Sequence, residues 1–537
     1  MKNNIGLRRK IIVFSLIILV QLVLLYAYHV NEDKIRPYIS GDYYIRLSTL
    51  NFNYLKYSIE YENYTKSLKA QENYSIIDPN ETVYAKSVPV LVYHGILPEW
   101  TIDVKGDIIM DGFNLPVKNF KDQMFTLKKA GWQTVSMSDF EAFMRGEKQL
   151  PDKSFLLTFD DGRKDSYYRA DPVLKAVDYT AVMFVITGES LNPEKQNYKF
   201  HLNIDELRSM VKSGRWELEV HTAFGHGAPV ISAGGMRGHF YSDKLWLPEQ
   251  NRIETEEEFT KRVYNDIKLA KESLMNTFGI NVTTFAYPFG DYGKDTKNFP
   301  GSQKIVFSTI DSLFNFGFYQ TWVGQGYTYN YPNQKETALI KRLEPGIDWT
   351  GEKLLSYLEF GRAKDMPYDT NSETGFNGFV DNEGKLTDTN GALTLSTDEN
   401  KMSAFTFLDG TYLWENYIYK MKVQKYSAQT LSLMSRVATS GDYVSCTYSK
   451  AYVQIIKSVN NQKKKITEGR ISSLLSYGNF EVGMKVKGNN VSCMLNGKGI
   501  LNAEINSNEL KNGGIGFEIW SPFSNASITT DGITVSN

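Results

Sequence analysis

Two stretches of this chain place chemically able side chains at strand-like ends. "LLTFDDG", residues 156–162, ends an apolar run on Asp160 and Asp161 and then Gly162; "EVHTAFGHG", residues 219–227, sets His221 and His226 five apart. Adjacent carboxylates disfavour one another's ionised form, so the acids must face positive charge. On a helix the two imidazoles would stand about 140° apart, whereas a loop leaving a strand lets them converge. Two imidazoles and one carboxylate make an open site for a divalent cation that keeps a position for water. Asp161 is then the carboxylate ligand and Asp160 the free general base. The ion makes the adjacent acids tolerable and favours ionisation of water. The other histidines are His29, His94, His201 and His239.

These groups need elements to hold them. "SVPVLVYHGI" is a short apolar run ending near His94, "KSFLLTFDD" a second, "WELEV" a third that stops at His221, and "NVTTFAYPFG" a fourth. Between them lie helical stretches. "NIDELRSMVKSG" has Asn203 as N-cap, Glu206 three residues on and Gly214 as its stop, and "EEEFTKRVYNDIKLAKESLMNTFG" is a long amphipathic helix. Alternating strands and helices predict parallel βαβ units, with functional groups at the C-terminal strand ends. Beyond about residue 370 the helical period gives way to short alternating runs with Gly and Asn at the turns, which predict an antiparallel sandwich.

The expected class is therefore α/β, a (β/α) barrel over 86–365 followed by an all-β sandwich over 391–537, joined by a turn-rich linker over 366–390. In front of the barrel, basic residues 1–10 and the uncharged stretch 11–28 read as a cytoplasmic tail and one transmembrane helix, with the rest facing outward. A cleaved signal peptide is the rival, but no small-x-small pattern follows. The stretch 29–85 reads as a juxtamembrane stalk in which Leu50, Tyr54, Tyr57, Tyr61, Tyr64 and Leu68 share one helix face that packs on the next domain. With Lys+Arg 60 against Asp+Glu 61 among 537 residues, nothing points to nucleic acid. Cys446 and Cys493 are too few for a disulfide framework or a cysteine zinc site; one bridge is a reading, and two buried small apolar residues are the favoured one.

Taken in order, "LLTFDDG", "EVHTAFGH" and "FAYPFGDYG" resemble the successive motifs of the NodB-type polysaccharide deacetylases, the family 4 carbohydrate esterases, and "VPVLVYHGI" resembles their branch acting on poly-β-1,6-N-acetylglucosamine and related exopolysaccharides. The resemblance covers about residues 86–365. It implies a distorted (β/α) barrel, one divalent metal (zinc is expected, other transition metals are alternatives) and hydrolytic N-deacetylation of an extracellular polysaccharide at a bacterial cell surface. Polysaccharide synthase and export machinery are the implied partners. It makes Asp160 the general base and Asp161, His221 and His226 the metal ligands, with Thr222 supporting the loop. Pro288 and Phe289 would line the acetyl pocket, Tyr287 would join them at the substrate and oxyanion site, and the Phe289 backbone N–H would help hold the oxyanion.

Three departures stand out. The histidine spacing is one residue longer than in many members, Ala286 stands where an arginine often orients the catalytic aspartate, and no histidine follows His239 to serve as the late-strand acid. Closure of a barrel makes first and last strands neighbours, so His94 is the candidate general acid, with a structural role as the alternative. "IKRLEPGIDW" holds Arg342 and Glu344 where the late histidine would be. The C-terminal segment resembles laminin-G or concanavalin-like sandwiches, which implies a carbohydrate-binding module or a spacer. Peptidoglycan or chitin-oligomer deacetylation, and a catalytically inactive glycan-binding surface protein, are the alternative functions.

Overall fold

The structure is a computed structural model that describes residues 56–63, 83–97, 114–197, 200–321, 329–334, 337–370, 375–438, 441–459, 462–471, 479–506, 510–523 and 525–537. Among the described residues, seven parallel strands form the barrel of its N-terminal body: β1 (Val88–Tyr93), β2 (Ser154–Phe159), β3 (Ala181–Ile186), β4 (Trp216–Thr222), β5 (Thr284–Ala286), β6 (Phe316–Thr321) and β7 (Ile340–Leu343). Each pairs in parallel with the next, and β1 pairs with both β2 (Val90 opposite Leu156) and β7 (Leu91 opposite Leu343), so the sheet closes. The expected barrel is present.

Strands covered on both faces read as continuous apolar runs rather than alternating ones, which is why "VPVLVY" and "AVMFVI" are buried throughout. Alternate residues fill the barrel, among them Val90, Leu156, Phe184, Ala286, Phe318 and Ile340. The other set, including Leu91, Leu157, Met183 and Val220, meets the outer helices. Those helices are α1 (Val117–Lys129), α2 (Met137–Met144), α3 (Lys164–Val177), α4 (Ile204–Lys212), α5 (Glu256–Phe278), α6 (Ser302–Leu313) and α7 (Gly351–Gly361). The expected cap at Asn203 is a complete capping box with Glu206, and Thr255 forms a second with Glu258 at the start of α5. Each N-cap contributes about 1 kcal/mol. Gly279 ends α5 in the left-handed conformation that glycine adopts without a Cβ penalty, at φ 67°.

The transmembrane stretch 11–28 and the tail 1–10 lie outside the described residues, as does His29. Among the described residues no helix is long and apolar enough to cross a membrane. Of the predicted tyrosine face, residues 56–63 are helical, with Tyr57 buried in the barrel domain's core and the Tyr61 ring edge-on to Phe125 of α1 at 5.0 Å. That part of the stalk packs on the barrel domain.

The C-terminal body consists of an eight-stranded and a seven-stranded antiparallel sheet among the described residues, sharing a core that includes Leu395, Tyr419 and Val482 from one and Leu433 and Phe517 from the other. The segment 366–390 differs from the expected linker. Within it Tyr368–Asp369, Phe379–Glu383 and Lys385–Thr389 all pair with sandwich strands. The physical reason is the turn chemistry: Asn390 and Gly391, at φ 55° and 74°, make the two-residue connection of a hairpin, and Gly384 at φ 90° makes the turn before it.

The cysteines also depart from the favoured reading, since Cys446 and Cys493 form a disulfide. Inward-pointing positions on facing sheets bring their Cα atoms to 5.6 Å, within bridging range. The bond joins the seven-stranded sheet to the eight-stranded one. Closing a span of 47 residues stabilises the fold by about 4 kcal/mol in the chain-entropy account. Reduction, or Cys493→Ala, is therefore expected to lower the sandwich melting temperature by on the order of 10 °C, read by calorimetry; an unchanged transition would show that the bridge bears no load.

Candidate active site

The C-terminal ends of β1, β2, β4, β5 and β7 meet at one rim. β2 runs out at Asp160, and the next two residues, Asp161 and Gly162, both adopt left-handed backbone at φ 71° and 66°. A non-glycine residue there carries strain that its surroundings must offset, and the turn sends the two carboxylates to different partners. The facing positive charge demanded by the sequence is Arg342 at Asp160, while Asp161 faces two imidazoles.

Asp160 faces into the barrel, where Arg342 donates Nη1 to Oδ1 at 2.6 Å and Nη2 to Oδ2 at 2.7 Å. Both residues are buried, Arg342 completely. Burial alone would push the Asp160 carboxyl up, but the guanidinium holds it below the ordinary carboxylate range. Ile340, Arg342 and Glu344 alternate along β7 and its end, so they share a face. Arg342 therefore meets Asp160 inside the barrel while Glu344 reaches the rim. Ala286 leaves room on β5, and the aspartate's support comes from β7 instead.

Asp161 faces the histidines. Its Oδ1 is buried and accepts no hydrogen bond, while His226 Nε2 lies 3.2 Å and His221 Nε2 3.5 Å away. His221 Nδ1 is 2.8 Å from the Ala286 carbonyl, which can only accept, so the proton sits on Nδ1 and the Nε2 lone pair turns toward Asp161. Burial pulls the His221 pKa down to about 4, keeping the ring neutral as a ligand must be. Among the described residues these three form the one cluster of ligand-type atoms all within 4.8 Å of one another. An orphaned buried carboxylate oxygen beside the His221 Nε2 lone pair and the His226 Nε2 fits a divalent cation, with three protein ligands and room for more.

The loop that carries His226 is clamped from below. Asp266 of α5 accepts from Thr222 Oγ1 at 2.7 Å, Tyr241 OH at 2.5 Å and the Phe224 N–H at 2.7 Å, and Thr222 Oγ1 accepts from Gly225 N–H at 2.7 Å. Thr222 thus sits in the loop-supporting position expected of it. Asp266 was not singled out from sequence, although a signal existed: it falls on the apolar face of α5 among Phe259, Val263, Ile267 and Ala270.

His94 reaches the same space. Its Nδ1 is 2.9 Å from Glu344 Oε1 and its Nε2 3.8 Å from Asp160 Oδ2, and Gln320 donates to the other Glu344 oxygen. This follows from strand order, because β1 lies between β2, which leads to Asp160, and β7, which leads to Glu344. Burial opposes charge on the His94 ring, but Glu344 prevails and raises its pKa to about 9.

The "YPFG" turn is divided. Tyr287 is a correction: it is fully buried, its ring lies edge-on to Phe285 and its hydroxyl donates to the Ala338 carbonyl at 3.0 Å, so the side chain belongs to the core and cannot line a pocket for substrate. Pro288 is buried, whereas Phe289, at φ 61°, is half-exposed with its ring 4.6 Å from that of His226.

Comparison with known proteins finds likenesses over the segment that carries most of these residues. Residues 147–302 match the family model described as polysaccharide deacetylase; the match takes in Asp160, Asp161, His221, His226 and Phe289 but stops short of Arg342 and Glu344 and begins after His94. The chain is 28% identical over 180 residues to the poly-beta-1,6-N-acetyl-D-glucosamine N-deacetylase of Escherichia coli K12, covering 32% of this chain and 27% of that one. It is 24% identical over 178 residues to the protein of the same name from Staphylococcus aureus MRSA252, covering 33% and 54%. The chain thus spans about a quarter and about half of these relatives' lengths. A solved de-N-acetylase from Aggregatibacter actinomycetemcomitans aligns at TM-score 0.42 and 19% identity over 50% of this chain and 98% of that one. The segment that carries Asp160, Asp161, His221 and His226 is the one that matches the polysaccharide deacetylase family.

Proposed function

We propose that the protein removes N-acetyl groups from an extracellular N-acetylhexosamine polysaccharide of the poly-β-1,6-N-acetylglucosamine type, releasing acetate. The observation that carries this reading is the Asp161–His221–His226 cluster with the Asp160 carboxylate and the His94 imidazole beside it, themselves 3.8 Å apart. The names of the curated relatives support the glycan class.

Asp161, His221 and His226 would hold a divalent cation, with zinc expected, which would supply Lewis acidity at the acetamide. Asp160, ionised and fixed by Arg342, takes the proton of the attacking water. The Phe289 backbone N–H, in a turn beside His226, donates to the oxygen that gains charge. His94, kept charged by Glu344, delivers a proton to the departing nitrogen so that it leaves as an amine. A catalytically silent scaffold would suit a chain lacking the usual arginine and late histidine, but Arg342 and His94 fill those two needs from other strands. The disulfide suits an oxidising compartment, in keeping with an outward-facing protein anchored through residues 11–28.

The test is acetate release from β-1,6-linked N-acetylglucosamine oligomers, set beside chitin and peptidoglycan oligomers. Release from the first set, abolished by chelation and restored by metal, is expected; release only from the others would replace the substrate class, and release from none would reject the reading. A separate expectation concerns His94 in the metal-free protein, where NMR titration should follow a ring that stays charged until about pH 9. Its pairing with Glu344 raises the folded pKa, so the stabilisation is complete below the unfolded value of about 6.5 and is lost as pH rises through about 9. Glu344→Gln should shift that titration to lower pH.

A further inference from the structure

Between β4 and α5 the chain makes a long excursion, residues 223–255, that the deacetylation chemistry uses only for His226. Its His239 returns to the site. His239 Nδ1 lies 2.6 Å from Asp291 Oδ2, and its ring stacks on Phe289 at 4.8 Å between centroids and 15° between planes. Asp291, itself 1% exposed, is built into place by Ser242 Oγ at 2.5 Å and by the backbone N–H groups of Gly293 at 3.0 Å and Asp295 at 3.3 Å. The His239 backbone is held as well, its N–H donating to Asp243 Oδ2 at 2.9 Å.

Such a scaffold is more than a half-exposed surface histidine needs. One edge of the ring is spent on a buried carboxylate and one face on Phe289, so the side chain's remaining 36% exposure falls on the opposite face and the Nε2 edge. Phe289 is itself 49% exposed, and its ring lies 4.6 Å from the ligand His226. Phe289 and His239 together therefore form an aromatic ledge leading away from the catalytic rim. The apolar C–H face of a pyranose packs on such a surface, and the Nε2 edge offers a hydrogen-bonding group to a hydroxyl or an acetamide oxygen. The carboxylate at Nδ1 favours the charged ring, in which Nε2 is a donor.

We propose that His239 is a substrate-binding residue of a subsite for a sugar unit beyond the immediate neighbour of the one being deacetylated, packing its free face against that unit and donating a hydrogen bond from Nε2. The inference rests on the proposed polysaccharide deacetylation and adds a determinant of chain length. A dimer held at the metal does not reach His239, which lies beyond Phe289 as seen from His226. A longer oligomer does, and gains affinity from it.

The experiment compares wild type, His239→Phe and His239→Ala on β-1,6-linked N-acetylglucosamine dimer and pentamer, with melting temperatures as a fold control. His239→Phe keeps a ring over Phe289 and loses the donor. We expect kcat/KM on the pentamer to fall about tenfold through KM, as for loss of one hydrogen bond from a charged donor, with little change on the dimer. His239→Ala should lose more on the pentamer because the stacking face goes too. If His239 only props Phe289, His239→Phe will behave as wild type on both oligomers, and the proposal is overturned. Equal losses on dimer and pentamer overturn it as well, since they locate the defect at the catalytic rim. A variant that melts early is replaced by His239→Gln, read by the same pentamer-to-dimer ratio. Wild type inactive on both oligomers removes the deacetylase reading itself; an active wild type with an unshifted ratio removes only the role of His239.

Discussion

Asp161→Asn should strip the metal from the protein and reduce acetate release by at least about 10³-fold, the scale of losing several kcal/mol of charge stabilisation in the transition state. The native carboxylate presents a buried Oδ1 that accepts no hydrogen bond, 3.2 and 3.5 Å from two ring nitrogens. A cation satisfies all three at once. An amide in that place brings N–H groups that can donate to the same nitrogens, closing the cluster on itself without any ion, and it removes the negative charge that offsets the ion's desolvation. The fold should be little disturbed, because the left-handed backbone at Asp161 is a conformation asparagine tolerates well. Metal content after dialysis and acetate release are measured together. Stoichiometric metal retained by an inactive Asp161→Asn protein would show that the carboxylate has a different task.

The ligand set was legible because its signals are local: adjacent acids followed by glycine, and two histidines in a strand-to-loop stretch. The barrel was legible for a related reason, since strands buried on both faces spell continuous apolar runs that helices separate. The partners that Asp160 and His94 find on β7 were not assigned beforehand. Arg342 stands 182 residues from Asp160, and nothing in "IKRLEPG" says that its guanidinium points inward to that one carboxylate. The alternation Ile340, Arg342, Glu344 on a strand adjoining β1 carried the information, but only once the order of strands was known. Tyr287 was misassigned by the same limit, because neighbours in a motif were expected to share a destination while a strand end sends successive side chains to opposite faces. In the sandwich, low apolar content around residues 366–390 suggested a linker, yet the Asn390-Gly391 pair is a hairpin signal that composition averaged away.

Asp160→Asn should leave metal content unchanged while acetate release falls by about 10²- to 10⁴-fold, the usual worth of a positioned general base. The same substitution is expected to weaken the fold, and the two effects need separating. Arg342 is completely buried and spends Nη1 and Nη2 on the two Asp160 oxygens. An amide keeps one acceptor and turns its NH₂ toward a guanidinium N–H, so one donor faces another and the cation loses its counter-charge. Breaking a buried pair on one side costs about 3–5 kcal/mol, enough to lower the melting temperature visibly. Removing the cation as well, in Asp160→Asn/Arg342→Gln, takes away the uncompensated charge and lets two amides pair. Stability should then recover in part, with a coupling between the two sites that a double-mutant cycle reads directly. Activity should not recover, since neither amide accepts a proton from water. If acetate release returned along with the melting temperature, Asp160 would be a structural anchor for β2 and β7, and the base would have to be sought elsewhere on the rim.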